Sequence, residues 1–369
     1  MKILYVTTVG LTMTFFGSII RELLDKGHTV DIACNESDSQ VPDCYRDWGC
    51  GIHHIDCVRT PFAAGNARAV GQIRRLVHEN SYDIVHCHTP IAAACTRLAC
   101  KSLRKEGVRV FYTAHGFHFY KGAPLKSWLL YYPAEKICAH FTDTLITINR
   151  EDYALAERKM KAKHVVYIPG VGIDVDKFRN TVVDRPAKRK ELGIPEDAFL
   201  LLSVGELNEN KNHQIVIRTL AELNDPSIHY AIAGNGALAE YLTALAEQLG
   251  VAERVHLLGY RRDVAELYKT ADVDVFPSIR EGLGLAAIEG MAAGMPLICS
   301  DNRGTRDYAV NGMNALVCGN VGDYAEAISR LRVDHQLREE LGRAGSQSAE
   351  RFSVGEVNRE MLRAYTELL

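Results

Sequence analysis

The chain has 369 residues and a mass of 41.0 kDa, more than one hydrophobic core of ordinary size organises, so two domains are expected and a single small module is excluded. Apolar residues make up 47% and charged residues 24%, a soluble globular composition that excludes disorder as the dominant state. The net charge of −3 hides an asymmetry, with 23 basic against 18 acidic residues over 1–180 and 20 against 28 over 181–369.

Arg97, Lys101, Arg104, Lys105, Arg109, Lys121 and Lys126 crowd one stretch of the first half. They read either as an attraction for an anionic partner or membrane surface, or as solvated helix faces. No stretch approaches the roughly 20 uncharged apolar residues of a membrane-spanning helix, and runs such as 127–133 are far too short. The opening Met1-Lys2-Ile3-Leu4-Tyr5-Val6-Thr7-Thr8 reads as a strand rather than a signal peptide. Ten cysteines show neither a C-x-x-C pair nor a recurrent spacing with histidines, so no structural zinc site is expected and a reducing cytoplasm fits best.

In chain order, short β-branched runs at 2–8, 29–34, 51–57, 83–89, 108–115, 144–149 and 164–169 alternate with helical patterns. The alternation restarts at 199–205, 228–234, 255–259, 273–278, 296–301 and 315–318. Two doubly wound parallel sheets of α/β class are predicted. Pro169-Gly170-Val171-Gly172 and the polar segment 184–190 read as a hinge in which Pro186 and Pro195 limit helix formation. Domains are therefore expected at 1–170 and 171–350. From Gly322 the tail is helical, with Leu331, Leu337, Leu341, Phe352, Val357, Met361 and Leu368 as apolar anchors.

In open parallel sheets ligands bind beyond the carboxyl ends of the strands, so two such units joined by a hinge are expected to face each other across a cleft. The segment from Phe276 to Pro296 ends a strand, frees the backbone at Gly282 and Gly284, and starts an Ala-rich helix whose amides suit a phosphate. Glu281 precedes that helix and Glu289 lies inside it, placed to accept from hydroxyls on either side of a pyrophosphate; the plainer alternative makes Glu281 a cap and Glu289 a solvated residue. Gly282-x-Gly284-x-x-Ala287 also matches a dinucleotide fingerprint, with Asp301 following 19 residues after Gly282. That fingerprint belongs on a first strand, and here it follows about the fourth strand of the second unit, which argues against a nicotinamide cofactor.

Val204-Gly205-Glu206 leads to Lys211, a point charge for a phosphate or a solvated lysine. Gly234-Asn235-Gly236 reads first as a tight turn and alternatively as a loop that approaches a ligand. In the first half His115 ends a strand in Thr113-Ala114-His115-Gly116 and is suited to a sugar hydroxyl or a leaving phosphate, although a lone histidine is more often structural. His86 and His88 alternate on one strand without a third ligand, so no metal is expected. Gly10 frees the backbone after the first strand for approach to a ligand, and Leu11, Met13, Phe15 and Phe16 line that loop.

The Glu281-x7-Glu289 pair, the turn from Val204-Gly205 to Lys211 and the Thr113-Ala114-His115-Gly116 strand end resemble retaining glycosyltransferases of family four, over essentially the whole chain. The resemblance implies a GT-B fold, no cofactor, a nucleotide-sugar donor, UDP-linked, held by the second domain, and a helix at 351–369 crossing back to the first. It implies Glu289 on the ribose, Glu281 on the transferred sugar, the Gly282-Leu283-Gly284 backbone and Lys211 on the diphosphate, and His115 on the sugar. Gly10 and Gly205 join the binding set.

The stretches around His115 and Lys211 look most like bacterial capsular and extracellular polysaccharide enzymes, whose acceptors are glycans or polyprenyl-diphosphate-linked sugars. Such acceptors would bring a peripheral membrane contact through the first domain at the inner face of the cell membrane; no nucleic acid is implied. Glu206 stands where many members carry an arginine, with Arg280, Arg261 or Arg262 as substitutes, and Leu283 stands where the family usually has an aromatic. A nucleotide-sugar 2-epimerase and a non-catalytic nucleotide-sugar-binding protein are the alternatives.

Overall fold

The structure, a computed structural model, describes residues 1–37 and 39–368. The chain forms two compact units, one of Met1–Gly172 with Val354–Leu369 and one of Ile173–Ser353.

The first unit is built on seven strands: β1 Lys2–Val9, β2 Thr29–Asn35, β3 Ile52–His54, β4 Ile84–His88, β5 Arg109–Ala114, β6 Thr144–Thr147 and β7 His164–Tyr167. They pair in parallel in the order β3-β2-β1-β4-β5-β6-β7. β1 and β4 are buried almost throughout, because helices cover both faces and a parallel strand between them has no polar side. On one face Leu4, Val6, Val85 and Cys87 pack with Ala69, Ile73 and Val77 of the helix Ala64–Asn80; on the other Ile3, Tyr5 and Ile84 pack with Ile20, Met361 and Tyr365.

The second unit has six strands: β8 Phe199–Val204, β9 Ile228–Ala233, β10 Val255–Gly259, β11 Val273–Phe276, β12 Leu297–Ser300 and β13 Leu316–Cys318. All pair in parallel, in the order β10-β9-β8-β11-β12-β13. Both units are doubly wound and Rossmann-like. In each, the winding direction reverses once, between β1 and β4 and between β8 and β11, and a crevice opens at those strand ends.

Helix starts follow from short polar side chains. The carboxamide of Asn149 accepts from Asp152 N at 2.8 Å, and Asp174, Asp184, Asn320 and Asp334 do the same for the helices that follow them, each a contribution of about 1 kcal/mol. The Asp184 cap corrects the hinge expectation at 184–190: Arg185–Glu191 is a helix, and Pro186 sits in its first turn, where no N–H is required. The run 51–57 yields only the three-residue β3.

Arg97 is also not part of a basic surface. It is 1% exposed, donates to Glu135 at 2.7 Å and to the Ala93 carbonyl at 3.0 Å, and lies over the ring of Tyr112, whose hydroxyl donates to Glu135 at 2.9 Å. No helix among the described residues is long and apolar enough to cross a membrane.

Two glycine substitutions should separate backbone crowding from chain entropy. A Cβ at Gly234 would lie 1.9 Å from the Gly205 carbonyl oxygen, so Gly234→Ala should destabilise by about 1–3 kcal/mol or more. Gly71, inside the helix Ala64–Asn80, meets nothing within 4 Å, and Gly71→Ala should stabilise by about 0.5–1 kcal/mol. Urea unfolding midpoints of the two variants moving in the same direction would refute the assignment.

Candidate functional site

In the second unit the loops after β8 and β11 emerge side by side at the reversal point. Asn208 Oδ1 accepts from Lys211 N at 3.0 Å and starts a single turn, Glu209–Lys211, ahead of the helix His213–Leu223. Asn210 then ties the two loops together: its carbonyl accepts from Ile279 N at 2.8 Å and its side-chain amide donates to the Arg280 carbonyl at 2.8 Å. The stem of Lys211 lies across Gly205, where a Cβ would stand 3.2 Å from Lys211 Cε. Lys211 Nζ reaches Glu281 Oε1 at 2.7 Å and sits 5.1 Å from the ring centre of Phe276. The structure thus brings Gly205, Lys211 and Glu281 together.

The helix Leu285–Ala292 begins just beyond them. Gly284 precedes it at φ +93°, and a Cβ there would lie 2.9 Å from both the Phe276 ring and the Tyr308 hydroxyl. No side chain caps this helix, so its first-turn amides remain available to an anion. Leu283 is 2% exposed and contributes only backbone, while Gly282 bridges Glu281 to it. Glu289, one turn further, is half-buried, and burial lifts its carboxyl to about 7 against the pull of Lys177. Beneath it Asp274 is buried, its acidity suppressed by burial and then by Glu289, and its Oδ2 has no hydrogen-bond partner among the described residues. A Cβ at Gly290 would meet that oxygen at 2.1 Å.

Several residues the sequence reading passed over complete the loop. Arg303, 7% exposed, donates from Nε to the Glu281 carbonyl at 3.1 Å. Asn302 donates to the Ser278 carbonyl at 2.9 Å and accepts from Gly304 N and Thr305 N. The string Asp301-Asn302-Arg303-Gly304-Thr305 was available as a signal, but only Asp301 attracted attention, and Asp301 is held by Arg306 at 2.6 and 3.0 Å. Arg261 does not take the place of the arginine missing at Glu206, because Asp263 and Glu191 hold it. The Gly234-Asn235-Gly236 stretch is not a tight turn but a close backbone approach: Leu207 N donates to the Asn235 carbonyl at 3.0 Å, and a Cβ at Gly236 would lie 2.3 Å from the Leu207 oxygen.

In the first unit His115 follows β5, and its Nε2 lies 3.2 Å from Nδ1 of His88. His88 lies against Phe16 and against His86, each with ring centres 4.2 Å apart and planes tilted by 34° and 38°. His86 bonds Thr113 Oγ1 at 2.8 Å and the Tyr365 hydroxyl, which also meets the Tyr5 hydroxyl at 2.7 Å. Burial pushes His86 down to about 3 and His115 to about 4, with His88 well below its usual range, so all three are neutral at pH 7. No group of three metal-binding side chains occurs among the described residues. Gly10 is buried with the backbone of Ser39–Val41 where a side chain would go, Met13 and Phe16 are buried, and Leu11 and Phe15 are exposed.

Residues 184–348 match the family described as glycosyl transferases group 1, and residues 2–149 match the family described as glycosyl transferase 4-like. EpsD of Bacillus subtilis (strain 168), designated a glycosyltransferase, is 41% identical over 314 residues, covering 84% of this chain and 82% of EpsD. The UDP-Gal:alpha-D-GlcNAc-diphosphoundecaprenol alpha-1,3-galactosyltransferase of Escherichia coli is 30% identical over 251 residues, covering 66% of this chain and 62% of that enzyme. Among solved structures, Anabaena HepE in complex with UDP and glucose superposes with a TM-score of 0.83 at 18% identity, covering 99% of each chain.

The depressed histidines make stability depend on pH. Unfolded, each takes up a proton near 6.5; folded, His86 and His115 refuse it until about 3 and 4, so stability falls as pH drops below 6.5. Glu289 works the other way, but only between about 7 and its ordinary value. His86→Gln should therefore flatten the loss of stability between pH 6.5 and 4.5 by about 1.4 kcal/mol per pH unit. Urea titrations at pH 7.5, 6 and 5 with parallel slopes for variant and parent would refute it.

Proposed function

The chain belongs to the group 1 glycosyltransferases and has the GT-B fold of two Rossmann-like domains, and from that premise we propose that it is a retaining hexosyltransferase, moving a sugar from a UDP-linked donor to a hydroxyl of a glycan or polyprenyl-diphosphate-linked acceptor in polysaccharide synthesis. The observation that carries the reading is the Lys211 ammonium, 2.7 Å from the Glu281 carboxylate, beside a helix whose first amides no side chain caps. A diphosphate fits there because amide dipoles and one cation answer its charge. The Escherichia coli relative, a galactosyltransferase named for a UDP donor and a diphosphoundecaprenol acceptor, supports the donor base and the acceptor class.

In this reading the diphosphate competes with Glu281 for Lys211 and lies against the backbone of Gly282, Leu283 and Gly284, Glu281 turns to hydroxyls of the transferred sugar, and Glu289 accepts from the ribose. As the bond from the anomeric carbon to the phosphate oxygen breaks, charge grows on that oxygen, where Lys211 and the amides hold it more tightly than in the ground state. The acceptor oxygen bonds to the anomeric carbon on the same face, and its proton passes to the departing phosphate. His115, neutral through burial, hydrogen-bonds the sugar without adding charge.

A lipid-linked acceptor also accounts for the helix Leu125–Ala139, which leaves Leu125, Leu129, Leu130 and Ile137 exposed beside Lys126 and Lys136. Peripheral contact with an anionic membrane surface at its cytoplasmic side is part of the proposal.

Lys211→Ala should lower kcat by about 10²–10³ with the fold intact, whereas Cys299→Ala, which removes a buried thiol that makes none of the proposed donor contacts, should leave transfer unchanged. Product analysis must give free UDP and a glycosylated acceptor of retained configuration; a second UDP-sugar formed without acceptor would make the protein an epimerase instead. Affinity for a UDP-sugar should fall as pH drops from 8 to 6, by up to about tenfold per unit, because protonated Glu289 loses acceptor capacity. Calorimetric titrations in which Glu289→Gln keeps the parent's pH dependence would remove Glu289 from the donor site.

A further inference from the structure

We propose that a cavity of about 280 Å³ in the first unit, lined by Thr8, Thr12, Arg59, Thr89, His118 and Tyr131 among others, binds a pyranose carrying a phosphate group, the end of the acceptor that receives the transferred sugar. The inference rests on the glycosyltransferase reading and extends it to the acceptor's chemistry. Thr8 lies near the end of β1 and Thr89 directly after β4, so the cavity opens where the winding of the first sheet reverses, the position at which such sheets take ligands. Small-molecule pockets run from about 300 to 1,000 Å³, and this one is sized for a single ring and its substituent rather than for a nucleotide.

Its walls divide into three chemistries. The rings of His118 and Tyr131 stack with centroids 4.5 Å apart and planes at 30°, a flat plate for the C–H face of a pyranose. Thr8 and Thr89 form the polar edge. The Thr89 hydroxyl donates to the His88 carbonyl and accepts from Thr8 N at 3.2 Å. Its single proton is then used, so the Thr8 hydroxyl, 2.7 Å away, must be the donor of that bond and, although it also meets the Cys57 thiol, keeps a lone pair for a sugar O–H.

Arg59 supplies the charge. It is exposed and has no hydrogen bond or ion pair among the described residues, and no Asp or Glu lines the cavity with it. A guanidinium left in that state beside hydroxyls and an aromatic plate matches the planar, two-point recognition of phosphate.

The backbone gives an independent sign. Thr89 sits at φ +63° and ψ 141°, a conformation a β-branched residue avoids, and the Thr8–Thr89 bond holds it there. Such strain persists where surrounding contacts over-determine it, and those places cluster at binding sites.

The test is calorimetry on the full chain with the donor site filled by UDP, using glucose, glucose 1-phosphate and farnesyl-diphosphate-linked glucose in detergent. Wild-type protein should bind at least one phosphate-bearing probe roughly tenfold or more tightly than glucose, Arg59→Ala should abolish that preference, and Tyr131→Ala should weaken sugar and sugar phosphate alike. Binding of glucose 1-phosphate places free sugar phosphates within the site's range. Arg59-dependent binding of only the farnesyl probe identifies a lipid-linked diphosphate as the source.

Equal affinity for glucose and both phosphate-bearing probes, or a preference that survives Arg59→Ala, would overturn the proposal while UDP binding left the donor reading standing. Failure of the wild-type chain to bind UDP would instead strike the glycosyltransferase reading itself. Melting curves of Arg59→Ala, an exposed side chain without partners among the described residues, confirm that the variant is folded.

Discussion

An ammonium and a carboxylate 2.7 Å apart, with 21% and 15% of their side chains exposed, are held by a modest free energy, and that modesty is what a binding site needs here. A deeply buried pair such as Arg97–Glu135 cannot give up one partner without leaving a charge in apolar surroundings. Lys211 and Glu281 stand at the rim, so an incoming anion can take over the ammonium while the released carboxylate finds hydroxyls or water. The surrounding loop exists to keep that exchange local. Asn208 fixes where the Lys211 backbone turns, Asn210 locks the β8 loop to the β11 loop, and Phe276 presents a ring face to the cation. Remote positioning of this kind matters because small displacements of a charged group cost large factors in rate.

The same loops explain where the unit spends its glycines. Gly205, Gly234 and Gly236 are not needed for unusual dihedrals; none adopts positive φ. They are needed because backbone passes backbone, or a lysine stem, more closely than a Cβ allows. In this unit only Gly284 combines crowding with a left-handed conformation, and it is the residue from which the helix proposed to accept the diphosphate starts. Crowding of the chain behind the site leaves little freedom for the amides in front of it, which is how an uncapped helix end can stay aimed without a side chain to hold it.

Most of the architecture was legible because its cause is local. Thirteen runs of β-branched and apolar residues correspond to the thirteen strands among the described residues, and the Glu281, Gly282, Gly284 and Glu289 spacing marks the helix start. What escaped was set by distant partners. Nothing adjacent to Arg97 announces that Glu135 will bury it, and nothing near Arg303 says that it will reach the Glu281 carbonyl. The helix Arg185–Glu191 escapes the sequence for a different reason: Pro186 reads as a breaker in isolation, although after an Asp cap it is a helix starter. Glu206 stands where an arginine is expected, and the guanidinium that joins Lys211 beside Glu281 is that of Arg303, which reaches the Glu281 carbonyl from the loop after β12.

The neutrality of His115 is likewise a property of the whole first unit rather than of its own loop. His115 touches His88, His88 lies against His86, and His86 is bonded by Tyr365, 279 residues further along the chain in the helix Val354–Glu367. That helix belongs to the first unit, and Val357, Met361 and Ala364 bury its apolar stripe there, which fixes where the Tyr365 hydroxyl can reach. The row of imidazoles under β4 is therefore closed by a segment that sequence order places last. Were Tyr365 absent, His86 would face water or an empty space, its burial would lapse, and the first histidine to regain a proton would put a positive charge two rings away from His115. An imidazole proposed to donate to or accept from a sugar without repelling a neighbour thus depends on a tyrosine at the far end of the chain.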